Sequence, residues 1–302
     1  LVMTPVVLRH RRPSASLAWL MVIFLLPWVG LFLYALVGSP RLGRRRARRS
    51  AQAHRMMAQI SRLALRAPHI VHPDVTPRLR GIVAVGERVG DEPILGGNAV
   101  ELIASTETLI ERLIQDIDEA RHSVNILVYI FEVDATGRRV AEAVARAAGR
   151  GVKCRVLVDD VGSARMLRRI APGLRRAGVE VLRLLPANWW RLPLARLDLR
   201  NHRKLYIIDG RIAYAGSQNI VDADYGHKRI GAWRDLMMRI TGPVVMQCQQ
   251  VILEDWYSET GVALDEADLF PTPEPTGTTC VQIVPSGPDR PNELMRDVLL
   301  AA

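Results

Sequence analysis

The 302-residue chain is 49% hydrophobic and carries 41 Lys plus Arg against 31 Asp plus Glu, a formal net charge of +10. Its length and apolar content allow one large or two ordinary domains with a sizeable core. Three scattered cysteines, Cys154, Cys248 and Cys280, have neither CxxC nor metal-ligand spacing, which excludes a cysteine metal site and points to a reducing compartment and buried structural thiols.

Residues 16–37 form an uncharged apolar run long enough to cross a hydrocarbon core of roughly 30 Å as a helix, with Pro27 a kink. A signal peptide would be shorter and would end at a small-residue cleavage site. Here the run is followed by Arg41, Arg44, Arg45, Arg46, Arg48 and Arg49, against Arg9, Arg11 and Arg12 before it. That bias predicts a transmembrane helix with the C-terminal part in the cytoplasm. The same cluster assigns the positive charge to anionic membrane lipid, since juxtamembrane basic residues gain about 1 kcal/mol each near such a surface. No nucleic acid is expected, because a nucleic-acid surface interleaves basic and aromatic residues on the globular part, and Trp189-Trp190-Arg191 alone hints at that.

Residues 51–97 mix Arg, Pro, Gly and His without strong periodicity and read as a helical connector. From residue 98 the pattern alternates strand and helix: strands at 100–104, 123–131, 152–159 and 179–185, helices at 106–121, 138–150 and 164–177. Residues 205–208 and 211–215 form a hairpin around Asp209-Gly210. The predicted fold class is α/β, a mixed sheet flanked by helices. Residues 281–286 and 292–302 repeat the strand, Ser-containing turn and helix of residues 100–120, as the opening of a second unit. This divides the chain into an anchor (1–50), a connector (51–97), a first catalytic repeat (98–270) and the start of a second (271–302).

The run Asn201-His202-Arg203-Lys204-Leu205-Tyr206-Ile207-Ile208-Asp209, followed by Gly216-Ser217-Gln218-Asn219, is the pattern His-x-Lys-x4-Asp then Gly-Ser-x-Asn. Side chains alternate along an extended strand, so His202 and Lys204 share a face. The return strand delivers Ser217 beside them, and an imidazole, an ammonium, a hydroxyl and an amide suit attack on phosphorus. Lys153, Lys204 and Lys228 are the only lysines among 41 basic residues. A compact ammonium where arginine is otherwise the rule is a point charge aimed at a phosphate. The competing reading is a surface hairpin with an incidental His and Lys. Composition alone yields His-x-Lys-x4-Asp in roughly one chain in a hundred of this length, and the added Gly-Ser-x-Asn makes chance poorer still.

This constellation resembles the phospholipase D superfamily, and its surroundings are similar to bacterial cardiolipin synthases. The similar stretch includes Gly97-Asn98-Ala99-Val100, Asp118-Glu119-Ala120-Arg121, Tyr129-Ile130-Phe131, Asp159-Asp160-Val161-Gly162-Ser163, Trp233-Arg234-Asp235, Gly242-Pro243-Val244 and Asp255-Trp256. The resemblance implies that His202 is the nucleophile, attacking phosphatidylglycerol to form a phosphatidyl-histidine that a second phosphatidylglycerol converts to cardiolipin. It implies that Lys204, Ser217 and Asn219 bind the non-bridging oxygens, with no metal or cofactor. Asp209 completes the motif and suits fixing the hairpin more than moving protons. Asp235 fits the acid that sets the tautomer of the nucleophilic histidine, or else a strand-end partner of Arg234.

The family has two N-terminal spans and two such motifs. Residues 1–8 are therefore expected to be the end of a first span. The chain as a whole is expected to be a first half, inactive as a monomer, whose second histidine comes from a missing C-terminal half or a homodimer partner. The expected location is the bacterial inner membrane. Two alternatives stay open: a single-motif phosphodiesterase or nuclease working as a homodimer, and a non-catalytic lipid-binding half-domain. Weaker site candidates are His227, Glu132 and Asp134. The stretch from Trp189 to Arg196 is either an interfacial segment or a packed loop.

Overall fold

A computed structural model describes residues 13–34, 46, 48–53, 55, 67–90, 92–186, 200–225, 233–264 and 267–286. His227, the stretch from Trp189 to Arg196 and the helix expected at 292–302 lie outside the described residues.

The apolar N-terminal run is two helices, not one. Helix α1 (Pro13–Leu25) stops at Leu26, whose φ of −132° and ψ of 76° leave the helical region, and α2 (Pro27–Leu33) begins at the next residue. Pro27 has no N–H to continue the i→i−4 ladder and suits the first position of a new helix. The chain folds back at this point: Trp19 and Tyr34 meet edge to face at 5.4 Å between ring centroids. A straight helix would hold them roughly 22 Å apart. Among the described residues no helix is long and apolar enough to cross a membrane. The single span expected at 16–37 is therefore corrected to a helical hairpin.

After helix α3 (Pro77–Gly90) the chain builds one eight-stranded sheet in the order β4-β3-β2-β5-β6-β7-β1-β8. Its strands are β1 (Leu95–Ile103), β2 (Ser123–Val128), β3 (Lys153–Asp159), β4 (Glu180–Leu184), β5 (Leu205–Ile208), β6 (Ile212–Gly216), β7 (Met237–Thr241) and β8 (Thr279–Val281). Strands β2, β3 and β4 run parallel, and the other pairings are antiparallel. The mixed α/β sheet flanked by helices is thus as expected.

The period-2 rule sorts the core into two layers. Ile126, Val128, Val156, Val158, Tyr206 and Ile208 pack under α4 (Thr106–Glu119) and α5 (Ala135–Gly149), joined by α6 (Ala164–Arg169) and α7 (Ala171–Arg176). Leu127, Leu157, Leu205 and Ile207 face the other way, onto Val245, Cys248 and Ile252 of α8 (Val245–Thr260). Helix α4 is capped by Ser105, whose Oγ accepts from Thr108 N, and α5 by Asp134, whose Oδ1 accepts from Gly137 N at 2.8 Å. The helix expected across 164–177 is divided at Ile170, just before Pro172.

The strand expected at 281–286 is Thr279–Val281, and it joins this same sheet as an edge antiparallel to β1. Cys154 and Cys248 are buried, and burial pushes each thiol up to about 12; Cys280, by contrast, is exposed. It thereby departs from the expected buried role.

Candidate active site

Strand pairing gathers one set of termini at one end of the sheet. The carboxyl ends of β2, β3, β4 and β6 lie there, with the amino ends of the antiparallel β5 and β7. Strand β2 has a parallel neighbour on one side and an antiparallel one on the other. Such a change of direction at carboxyl ends is where open α/β sheets leave a crevice. His202 and Lys204 immediately precede β5, Tyr129 immediately follows β2, Ser217 follows β6 and Asp235 precedes β7.

The imidazole of His202 is exposed and lies on the ring of Tyr129, 4.0 Å between centroids with a 36° tilt. Lys204 is on the same face: its Nζ stands 5.6 Å from the centre of the Tyr129 ring and donates to the carbonyl of His202 at 2.8 Å. Desolvation holds the Lys204 ammonium below the usual lysine range, and the negative charge of Asp235 partly offsets it. A lysine in that state is less hydrated and more easily deprotonated than a surface lysine.

Ser217 Oγ donates to Asp235 Oδ1 at 2.6 Å and accepts from Leu236 N at 3.0 Å. Asp235, expected either to set the tautomer of the imidazole or to pair with Arg234, thus holds the Ser217 hydroxyl, and among the described residues it makes no hydrogen bond to His202. Asn219 Oδ1 accepts from Ile130 N at 3.0 Å, which ties the Gly-Ser-x-Asn turn to the segment carrying Tyr129 and leaves the amide nitrogen outside that bond.

Asp209 sits at the far end of β5. Its carboxylate accepts from Arg121 N, His122 N and Ser123 N at 2.8 to 2.9 Å, fixing the start of β2 to the hairpin turn. Its own backbone is left-handed, with φ of 52°. Glu132 accepts from Val133 N and pairs with Arg165 at 3.3 Å. Asp134 caps α5 and accepts from Asp222 N, so both serve the loop after β2.

Three residues that sequence reasoning did not place in the site complete it. Tyr129 is the platform for both His202 and Lys204. Asp255 on α8 receives Asn201 Nδ2 at 2.8 Å and both carboxylate oxygens receive Arg203 Nη1 at 2.7 to 2.8 Å, so it clamps the residues on either side of His202. Asp159 at the end of β3 accepts from Val161 N and Gly162 N at 3.0 Å and pairs with Arg200 at 3.3 Å. Gly162 in turn closes against Tyr129: a Cβ there would stand 3.0 Å from the tyrosine ring. The available signal was the position of Tyr129 and Asp159, each at the carboxyl end of a strand that is buried from its second residue onward. Among the described residues no group of three or more His, Cys, Asp and Glu is placed to hold a metal ion.

The arrangement offers an exposed imidazole, a partly desolvated cation beside it, and a serine and an amide from the turn after the neighbouring strand β6. That is a set for receiving a phosphate ester and stabilising negative charge on its oxygens.

Comparison with known proteins locates this set. The family described as "Cardiolipin synthase, PLD-like domain" matches residues 113–256, and the one described as "Phospholipase_D-nuclease N-terminal" matches residues 2–39. Cardiolipin synthase A of Serratia proteamaculans is 34% identical over 304 residues, covering 98% of this chain and 62% of that protein. Cardiolipin synthase A of Yersinia pseudotuberculosis matches with the same identity and coverage. The chain therefore spans 62% of the length of these curated relatives. Among solved structures, the phospholipase D family member Nuc from Salmonella typhimurium aligns with 53% of this chain and 95% of its own, at 17% identity and a TM-score of 0.40. With the His202 cluster inside the matched domain and the likeness to both synthases running along nearly all of this sequence, residues 113–256 belong to the phospholipase D-like domain family of the cardiolipin synthases.

Proposed function

We propose that this protein is a membrane-attached phosphatidyltransferase that joins two phosphatidylglycerol molecules into cardiolipin and glycerol. The observation that carries the reading is the exposed His202 imidazole stacked on Tyr129 with the half-buried Lys204 ammonium on the same ring.

In the first step a neutral imidazole nitrogen of His202 attacks the phosphodiester. A P–N bond forms, the P–O bond to the head-group glycerol breaks, and the glycerol oxygen leaves with a proton. In the second step a hydroxyl of another phosphatidylglycerol attacks phosphorus, loses its proton and expels His202, which returns to its starting state. Lys204, Ser217 and the amide of Asn219 meet the non-bridging oxygens. Asp235 supports Lys204 and orients Ser217, and Asp209 holds the hairpin that aims β5.

The proton for the leaving glycerol needs a second acid. The other described histidines, His69, His72 and His122, belong to the opposite end of the sheet. A further segment of the protein, or a second copy of this chain, supplies that acid. The substrate is an anionic lipid of the bacterial inner membrane, met from the cytoplasmic side, and residues 1–50 form the anchor.

The test uses the complete protein in phosphatidylglycerol vesicles. His202→Asn is expected to lower cardiolipin formation by on the order of a thousandfold or more and to remove an acid-labile, lipid-labelled enzyme intermediate. Retention of that labelled intermediate in the variant would exclude His202 as nucleophile.

A further inference from the structure

The helical hairpin of α1 and α2 has a shape and a charge pattern that a single span does not explain. From Pro13 to Pro40 the sequence carries no charged residue, and arginines stand at both borders: Arg11 and Arg12 before it, Arg41 and Arg44 after it. Around the bend of the hairpin large apolar side chains point outward, while Tyr34 is buried. Phe24 and Trp28, on either side of the bend, are 86% and 85% exposed, and Leu17, Met21, Leu25, Leu26, Val29 and Phe32 are exposed as well.

Inside the hairpin the two helices are in intimate contact. A Cβ on Gly30 would stand 2.6 Å from Ile23 Cα, so glycine is required for the helices to approach this closely. Trp19 and Tyr34 close the base of the hairpin. Backbone bonds continue across the bend, with Leu26 N bonded to Val22 O at 3.0 Å and Gly30 N to Leu26 O at 2.6 Å.

We infer that this hairpin is a re-entrant anchor, which enters one leaflet of the bilayer and returns to the side it came from. Three observations converge on a lipid occupant. First, the exposed apolar side chains surround the tip instead of forming one stripe, as a lipid environment requires and a protein groove does not. Secondly, the depth fits: the 13 residues of α1 extend about 20 Å, and the 7 of α2 about 10 Å. A leaflet offers roughly 15 Å of hydrocarbon, and a full core about 30 Å. Thirdly, arginines on both borders conflict with a span, because one basic border would have to lie on the translocated side. In a re-entrant hairpin both borders face the same anionic surface, where each basic residue is favourable. Trp19 and Tyr34 at the base then occupy the interfacial zone that aromatic residues prefer.

This inference rests on the membrane attachment within the proposed function, not on its chemistry. It is tested on the full chain expressed in bacterial membranes, with single cysteines as reporters. Native Cys280 is exposed and marks the side of the catalytic sheet. In a Cys280→Ser background, His10→Cys and Ser39→Cys flank the hairpin, one on each border. A membrane-impermeant maleimide is applied to spheroplasts and to inside-out vesicles, and carbonate extraction is run on the same membranes. The expected result is that both flanking cysteines react from the side that Cys280 reports, with the chain resistant to carbonate. Reaction of His10→Cys from the opposite face would establish a span and overturn the inference. Release of the chain by carbonate would overturn it too, showing peripheral attachment or a protein partner on the apolar tip. The labelling pattern needs no turnover, so an inactive enzyme and a wrong topology give distinguishable results.

Discussion

A single aromatic ring organises the reacting groups. Tyr129 presents one face to both the imidazole of His202 and the ammonium of Lys204, within the roughly 6 Å range at which a cation is attracted by the ring quadrupole. Ring contacts of this kind contribute about 0.5–1.5 kcal/mol each. Tyr129→Leu is therefore expected to lower kcat/KM for cardiolipin formation by roughly tenfold, while Tyr129→Phe, which keeps the ring, stays within about threefold. Equal losses in the two variants would show that the hydroxyl, not the ring, matters.

Lys204 and Asp235 are expected to govern the alkaline side of the pH profile. Burial lowers the pKa of Lys204 and Asp235 raises it, so the ammonium persists to higher pH with the carboxylate than without it. If charged Lys204 is needed, activity falls as pH rises through that pKa. Asp235→Asn removes the raising influence, and the alkaline limb of kcat/KM is expected to move to lower pH. A limb that stays in place would detach Lys204 from that ionisation.

Between elements, the helix α8 braces the residues on either side of His202, the proposed nucleophile. Asp255 has a side chain 1% exposed and holds Arg203 and Asn201 together, a buried pair across the helix and the approach to β5. Removing one partner of such a pair leaves the other charge uncompensated and costs about 3–5 kcal/mol. Asp255→Ala is expected to lose stability on that scale in denaturant unfolding of the detergent-solubilised protein, with a fall in activity; near-wild-type stability would mean that Arg203 finds another partner.

What the sequence made legible at this scale follows from local rules. The hairpin of β5 and β6 is readable because Leu205 to Ile208 and Ile212 to Gly216 flank an Asp-Gly turn, and Asp209 indeed adopts the left-handed backbone such a turn needs. The face shared by His202 and Lys204 follows from alternation alone. Other features depend on partners distant in sequence. Tyr129 reaches His202 through the pairing of β2 with β5, and Asp255 reaches Asn201 across 54 positions, neither of which periodicity records. Helix α8 is buried on nearly every side, so it lacks the amphipathic stripe that announces a surface helix. Hydropathy likewise read residues 16–37 as continuous, because it registers apolarity and is blind to the missing N–H of Pro27.

For the molecule as a whole, the basic segment after the apolar hairpin and the site are tied to the same end of the sheet. Arg46, just beyond the hairpin, pairs with Glu259 near the end of α8, and Arg49 donates to the Glu259 carbonyl at 3.0 Å. Glu259 Oε1 also accepts from Leu185 N at 2.6 Å, at the carboxyl end of β4. Two arginines that follow the apolar hairpin are thus fastened to the rim from which His202 projects.

The strap from Phe270 to Ser286 links the opposite end of the sheet back to that rim. Pro271 and Leu269 close over Gly210, where a Cβ would stand 2.6 Å from the proline ring. Further along, Thr276 N bonds Gly97 O at 2.8 Å, Ile283 N bonds Gln247 Oε1 at 3.0 Å, and Ser286 O accepts from Arg203 Nη2 at 2.9 Å. The last of these bonds joins the strap to the residue that follows His202. A displacement of the strap at Ser286 is therefore felt at Arg203, the immediate neighbour of His202. If strap and site are coupled through that bond, linkage makes the influence mutual: a ligand held at His202 would change the ease of displacing the strap by the same factor.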